Sequence, residues 1–307
     1  MALLLVAATL PVTLPAAALV DTIRRTRLAL ARTVLFIALF LACEAAGIVV
    51  SLWLWLRWGR DEAAFLESNH QLQRWWSGTL ARGLERFYGM SYVVEGEAPA
   101  EGPSLLLVRH VSSADTLLPM RLVAVPNDLR VRYVLKKELS ADPCLDIVGH
   151  RLPNVFVDRS GRNSEGAVAA LRRLVMGLGD RDCGVIFPEG TRFTPARQAR
   201  ALEKLEGSPL APLARQLRCT LPPKTGGVQA MLDGAPGADV YFVGHTGFEG
   251  VRTMGDLLSG ALVDRVVRVR FKRVGAADVP SGIEARKRWL FEEWLAQDHW
   301  ICEGSEG

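Results

Sequence analysis

Two apolar stretches at the start of the chain constrain its architecture more than anything that follows them. Ala2–Val20 carries no charged residue, and Val34–Leu56 carries one, Glu44. As a helix rising 1.5 Å per residue, the second stretch is about 35 Å long, enough to cross a hydrocarbon layer of about 30 Å. Trp53, Trp55 and Trp58, interleaved with Arg57 and Arg60, have the composition of an interfacial belt. The first stretch contains Pro11 and Pro15, which remove backbone donors and predict a kink. It lacks the basic leader of a secretory signal and so reads as a retained segment. Arginines flank the second stretch on both sides, which conflicts with a simple crossing. Two readings follow: a re-entrant hairpin that breaks around Glu44-Ala45-Ala46-Gly47, or a tilted crossing helix in which Glu44 is partnered or protonated.

Charge follows the same division. Residues 1–60 hold six arginines against Asp21 and Glu44, which accounts for the whole net charge of +4; the remaining residues balance. A nucleic-acid binder needs a basic footprint on its folded part, so that class is excluded and a membrane partner is favoured. The five cysteines are odd in number, widely spaced and without a CxxC pair, and no HExxH occurs. Reduced thiols, no disulfide framework and no metal are the expectation for a cytosol-facing protein. Residues 1–60 are read as a membrane-anchoring unit and residues 61–307 as a catalytic domain. The expected location is a bacterial inner membrane, with the domain on the cytoplasmic face.

From residue 61 the pattern becomes that of an α/β protein. Residues 61–89 repeat apolar groups at helical spacing through Phe65, Leu72, Trp76, Leu80, Leu84 and Phe87. Short aliphatic runs then follow at Ser91–Val94, Leu105–Val108, Val131–Leu135, Val155–Val157, Val185–Phe187, Val240–Val243 and Val266–Phe271. Between them lies a clear helix, Ser164–Leu178, with Val168, Leu171, Val175 and Leu178 on one face and glycines 177 and 179 as a stop. A last helix is predicted over Ser281–Gln297. Apolar strands alternating with helices predict a sheet covered on both faces, with its chemistry in the loops beyond the strand ends.

Polar clusters stand at several of those ends. After Leu105–Val108 comes Arg109-His110-Val111-Ser112-Ser113-Ala114-Asp115. On one continuous helix His110 and Asp115 would point apart. If His110 ends the strand and a helix starts near Ser112, the turn folds Asp115 back under the imidazole, fixing its tautomer and leaving Nε2 as a base. The alternative is a hydrogen-bonded core pair with no chemistry. Ser112 and Ser113 are N-cap types first. Val155–Val157 runs into Asp158-Arg159, a strand-end salt bridge or a phosphate-holding fork. Val185–Phe187 runs into Pro188-Glu189-Gly190-Thr191-Arg192, where Gly190 lets the backbone approach a ligand and Glu189 orders a guanidinium or accepts a substrate hydroxyl. Pro222-Pro223-Lys224-Thr225-Gly226-Gly227 is a turn bearing one cation.

Together, His110-x4-Asp115, Phe156-Val157-Asp158-Arg159, Phe187-Pro188-Glu189-Gly190-Thr191-Arg192 and Pro222-Pro223-Lys224-Thr225-Gly226-Gly227 resemble the four ordered blocks of the glycerolipid acyltransferases, most closely the 1-acylglycerol-3-phosphate (lysophosphatidate) acyltransferases. The resemblance covers roughly residues 90–245. It implies a mixed sheet flanked by helices behind N-terminal membrane helices. It implies that His110 deprotonates an acceptor hydroxyl, that Asp115 orients it, and that Arg159 and Arg192 hold the acceptor phosphate. Phe187, Pro188, Glu189, Gly190, Thr191 and Lys224 fall in its substrate-binding blocks. It further implies an acyl-CoA or acyl-carrier-protein donor, no cofactor, and a lysophospholipid acceptor. Arg109 departs from the Asn that many members place before the His, and residues 142–150 keep only the outline of the usual Pro-x-x-Gly stretch. The expected activity is acyl transfer to the sn-2 hydroxyl of 1-acylglycerol-3-phosphate, giving phosphatidate. A remodelling enzyme for a head-grouped lysophospholipid, such as lysocardiolipin or lysophosphatidylinositol, is the alternative within the class; the Phe193-Thr194 continuation and the late Pro-Lys-Thr-Gly block resemble that branch. A non-catalytic lipid-binding membrane protein and a serine hydrolase are the alternatives outside it.

Overall fold

The computed structural model describes residues 2–157, 164–251 and 253–305. Helices α1 (Ala2–Arg24) and α2 (Ala29–Trp58) form a hairpin joined by a tight turn in which Arg25, Arg27 and Leu28 take positive φ. Asp21 shapes that turn. Its buried carboxylate accepts hydrogen bonds from the amides of Leu30 (3.0 Å) and Ala31 (2.8 Å), which the start of α2 leaves without intrahelical partners. Both helices are long and apolar enough to cross a membrane.

Helix α1 runs through Pro11 and Pro15. Of the two readings of the second stretch, the continuous helix with a partnered Glu44 is the one the structure holds. Helix α2 is continuous, so the stretch does not break at Glu44–Gly47; the reversal lies between the two apolar stretches instead. Glu44 is buried and partnered: its carboxylate accepts from Trp76 Nε1 (2.9 Å) and from the amide of Cys144 (3.1 Å). The helix is also docked at both ends, by Arg32 Nη1 on the Phe87 carbonyl (2.7 Å) and by Arg151 Nη1 on the Ser51 carbonyl (2.8 Å). Its opposite face leaves Val49, Leu52, Trp53, Trp55 and Leu56 exposed.

Asp61 caps α3 (Glu62–Tyr88) by accepting from the Ala64 amide, and Gly89, at φ 71°, ends it. The strands are β1 (Ser91–Glu95), β2 (Ser104–Val108), β3 (Arg130–Lys136), β4 (Val155–Val157), β5 (Asp182–Ile186), β6 (Asp239–Thr246) and β7 (Val266–Val274). They form one sheet in the order β1-β7-β6-β2-β5-β3-β4. All neighbours are parallel except β6 and β7. The remaining longer helices are α4 (Pro143–Arg151), α5 (Ser164–Val175), α6 (Pro195–Glu203), α7 (Thr225–Gly234) and α8 (Ile283–Ser305).

Strand periodicity builds two cores, because successive side chains leave opposite faces of the sheet. Leu106 and Val108 join Leu84, Tyr88, Tyr133 and Val243 on the α3 side. Leu105 and Leu107 join Leu171, Val175, Met231 and Trp294 under α5, α7 and α8. Along α5, Val168 is exposed and Leu174 is buried in its place; the helix ends at Val175, ahead of Gly177 at φ 68°.

The thiol expectation holds for Cys43, Cys144 and Cys183, which are free and buried. It fails for Cys219 and Cys302, which are disulfide-bonded across 83 residues. Asp298, one turn before Cys302, explains the pairing. Its carboxylate takes the amides of Arg218 (2.9 Å) and Cys219 (2.8 Å) and the Thr220 hydroxyl (2.7 Å), which draws residue 219 onto α8.

The seat of α2 is tight at Gly47, where a Cβ would lie 2.4 Å from Cys144 Sγ. Gly47→Ala is therefore expected to lower stability by about 1–3 kcal/mol, the usual cost of overpacking a filled core. Adding Cys144→Ala should restore most of it. Thermal denaturation of the two variants in detergent measures both effects, and equal melting temperatures for all forms would contradict the packing.

Candidate active site

The carboxyl ends of β2, β5 and β6 converge on one rim of the sheet, and the strand that leads to His110 is fully buried. After Val108 the chain turns sharply into a 3-10 helix at Ala114–Leu117. That turn returns Asp115 beneath the imidazole. Its Oδ1 lies 3.1 Å from His110 Nδ1, and its Oδ2 accepts from the amides of Val111 (2.7 Å) and Ser112 (2.7 Å). Asp115 has no exposed surface, whereas His110 is part-exposed. A carboxylate can only accept, so it fixes the proton on Nδ1 and leaves the Nε2 lone pair free to take a proton. Ser112 is structural, its Oγ accepting from the Ala114 amide (3.1 Å).

Glu189 is buried, and its two oxygens are taken by main-chain amides. Oε1 accepts from the His110 amide (2.8 Å) and Oε2 from the Leu221 amide (2.9 Å). Burial pushes its pKa up to about 8, against the pull of those two amides and of Arg109. Glu189 thus ties the turn that carries His110 to the segment that leads to Lys224.

At Gly190, with φ 67°, a Cβ would lie 2.8 Å from Lys224 Nζ, so the lysine chain covers it. Pro188 completes the link, its carbonyl accepting from the Lys224 amide (2.9 Å). The amides that border the site are themselves engaged, Val111 and Ser112 with Asp115 and Gly190 with the Phe187 carbonyl (2.9 Å).

His110 opens onto a cavity of about 570 Å³. The lining is largely apolar along Leu72 and Trp76 of α3, Leu135 of β3, and Leu145 and Val148 of α4, with Gln73, Lys136, Glu138 and Asp142 among them; Ser113, Thr191, Arg192 and Arg197 form the polar end near His110. Phe187 stacks at a tilt beside the imidazole, with ring centres 4.8 Å apart. Arg192 Nη1 lies 3.5 Å from Ser113 Oγ, and Arg197 Nη1 donates to the Arg192 carbonyl (3.0 Å). Of the residues singled out in the sequence, His110, Phe187, Thr191 and Arg192 line this cavity. Asp115, Pro188, Glu189, Gly190 and Lys224 support it from behind. Arg159 lies outside the described residues.

Two groups escaped the motif reading. Arg109 is buried; its guanidinium donates to the carbonyls of His245 (2.6 Å) and Cys219 (3.0 Å) and to Glu249 Oε1 (2.5 Å). His245, fully buried on β6, lies 3.1 Å from the Arg109 carbonyl and 3.7 Å from Asp115 Oδ2. The signal present in the sequence was the presence of an arginine directly before His110; nothing local marked His245.

A buried carboxylate thus holds an imidazole at the mouth of a largely apolar cavity, on the rim of a mixed α/β sheet. The family described as Acyltransferase matches residues 89–246, more than half of the chain, and the protein belongs to that family. It is 23% identical over 231 residues to 1-acyl-sn-glycerol-3-phosphate acyltransferase epsilon of Mus musculus, covering 72% of this chain and 63% of that protein. The chain thus spans under two thirds of the length of that curated relative. The crystal structure of the 1-acyl-sn-glycerophosphate (LPA) acyltransferase PlsC from Thermotoga maritima aligns over 82% of this chain and 94% of its own, at 16% identity and a TM-score of 0.44.

Two buried histidines give the fold an acid limit. Burial, aided by neighbouring arginines, lowers the pKa of His70 and of His245 to about 4 from the ordinary histidine value of about 6.5. A group whose folded pKa is depressed contributes stability that is complete above about 6.5 and lost as the pH falls toward 4. Each should cost on the order of 1–2 kcal/mol of unfolding free energy between pH 7 and pH 5. Denaturant titrations at the two pH values test this, and His70→Gln should flatten the dependence.

Proposed function

We propose that this protein is a membrane-bound O-acyltransferase that moves a fatty acyl group from a thioester donor, acyl-CoA or acyl-carrier protein, to the sn-2 hydroxyl of 1-acylglycerol-3-phosphate. The observation that carries the reading is the Asp115–His110 pair at the rim of the apolar cavity, with Arg192 beside it. The name of the mouse relative supports the choice of acceptor.

An alcohol is a weak nucleophile at neutral pH. As its oxygen attacks the thioester carbonyl, His110 Nε2 takes the hydroxyl proton, and Asp115 stabilises the imidazolium that forms. Collapse of the tetrahedral intermediate breaks the C–S bond. The thiolate leaves and recovers the proton, so the imidazole returns neutral and the new ester is released. A thioester already has a good leaving group, so no enzyme nucleophile is needed, in keeping with the structural role of Ser112. Arg192 and Arg197 meet the acceptor phosphate at the polar end, and the apolar walls take an acyl chain; the cavity volume falls within the roughly 300–1,000 Å³ of ligand pockets. The apolar face that α2 turns away from the domain supports a hairpin seated in the leaflet beside the cavity.

Purified full-length protein in detergent, given a labelled acyl thioester, should acylate lysophosphatidate. His110→Ala should lower turnover roughly 10²–10⁴-fold with folding retained, the range for loss of a general base. Labelling of head-grouped lysophospholipids alone would replace the acceptor, and release of free fatty acid alone would replace the reaction.

A further inference from the structure

We propose that Arg109 and His245 form a reciprocal clamp that positions the His110–Asp115 pair, with His245 acting on catalysis through a neutral imidazole rather than by touching substrate. The proposal rests on the general-base reading above.

The clamp arises where two parallel neighbours leave the sheet. Strand β2 pairs with β6 up to Val108 and Val243, and the Arg109 amide donates to the Val243 carbonyl (3.0 Å). One step further, each residue uses its side chain on the other's main chain. Arg109 Nη1 donates to the His245 carbonyl (2.6 Å), and His245 Nε2 stands 3.1 Å from the Arg109 carbonyl. That carbonyl can only accept, so Nε2 carries the proton and Nδ1 the lone pair. The peptide so held joins Arg109 to His110, and its own N–H is the one bound by Glu189. The peptide that leads into the base is therefore fixed at both its carbonyl and its amide.

The ring also lies 3.7 Å from Asp115 Oδ2, directing a proton-bearing nitrogen past the oxygen that does not face His110. Four charged or titratable groups surround this point. Asp115 comes from the turn after β2, and Arg109 from the end of β2. Glu249, from the loop after β6, accepts from Arg109 and from the Gly247 amide (2.6 Å). Glu189, from the loop after β5, holds the His110 amide. Phe248 closes the remaining side of the imidazole edge-on, with centres 5.6 Å apart. Burial and Arg109 both oppose a charge on His245, which stays neutral across the working range. A second cation there would draw the Asp115 carboxylate away from His110; a neutral N–H holds the turn without competing.

The test compares His245→Phe, His245→Gln and His245→Asn in the full-length protein with His110→Ala as the inactive reference. Phe keeps the ring volume and loses the N–H. Gln extends its amide nitrogen to the position of Nε2, whereas Asn falls short of the Arg109 carbonyl. For folded His245→Phe, kcat should fall about tenfold or more with KM within about twofold, the pattern of a lost transition-state contribution. The acid limb of the kcat/KM profile should move upward by about half a unit, because Asp115 loses a neighbouring dipole and holds the His110 proton more strongly. His245→Gln should recover most of the rate and the wild-type limb; His245→Asn should not. A wild-type rate in His245→Phe, or a lower rate with an unmoved acid limb, overturns the proposal. Should His245→Phe fail to fold, equal rates and profiles for the Gln and Asn variants overturn it. Full turnover by His110→Ala would instead reject the general-base reading and leave the clamp without a base to position.

Discussion

The arrangement of the active site depends on one buried carboxylate. Removing the Asp115 charge from water is costly unless hydrogen bonds compensate, and all its direct donors are local: two amides of its own turn and the imidazole five residues earlier. A spacing of five is too wide for one helical face, yet it suits a strand that stops and reverses through a single 3-10 turn. The reason the motif takes the form H-x4-D is thus geometric. The carboxylate can be buried only if the turn closes, and the closed turn points the imidazole outward to the cavity.

Other charges at the rim obey the same rule by longer routes. Glu189 reaches across from β5 to the amides of two separate segments, and Arg109 spans β6, the loop after it and residue 219. Asp298 on α8 holds the 218–220 segment in turn. Each of these groups satisfies main-chain atoms that no strand or helix serves. The rim that carries His110 therefore rests on a scaffold of ions whose partners are mostly backbone, with Glu249 and the Thr220 hydroxyl as the side-chain exceptions. Ordinary substitutions that keep charge but change reach would disturb that scaffold, because the distances to backbone atoms leave no slack.

Legibility in the sequence followed the range of each interaction. Strands were legible because near-continuous runs such as Leu105–Val108 are buried on both faces, and the seven runs correspond to the seven strands. The His110–Asp115 contact was legible because it closes within one turn. The partners of Glu189, the amides of residues 110 and 221, are distant in sequence and so were not legible from its motif. His245 is 136 residues from Arg109, and Cys219 is 83 from Cys302, so neither pairing leaves a local trace. The choice between a break and a continuous α2 stayed open for a related reason. Glu44 in mid-helix looked like a fault in an apolar segment until the fold supplied Trp76 and the Cys144 amide as donors.

That last contact has a consequence for how the protein meets lipid. Trp76 and Cys144 touch Glu44 on one side and form part of the cavity wall on the other. The apolar hairpin is therefore not a leash on an independent catalytic body. Side chains that seat the hairpin also line the pocket, so the interior wall and the anchor are one piece of packing: a substitution that reseats α2 against Trp76 or Cys144 also reshapes the cavity.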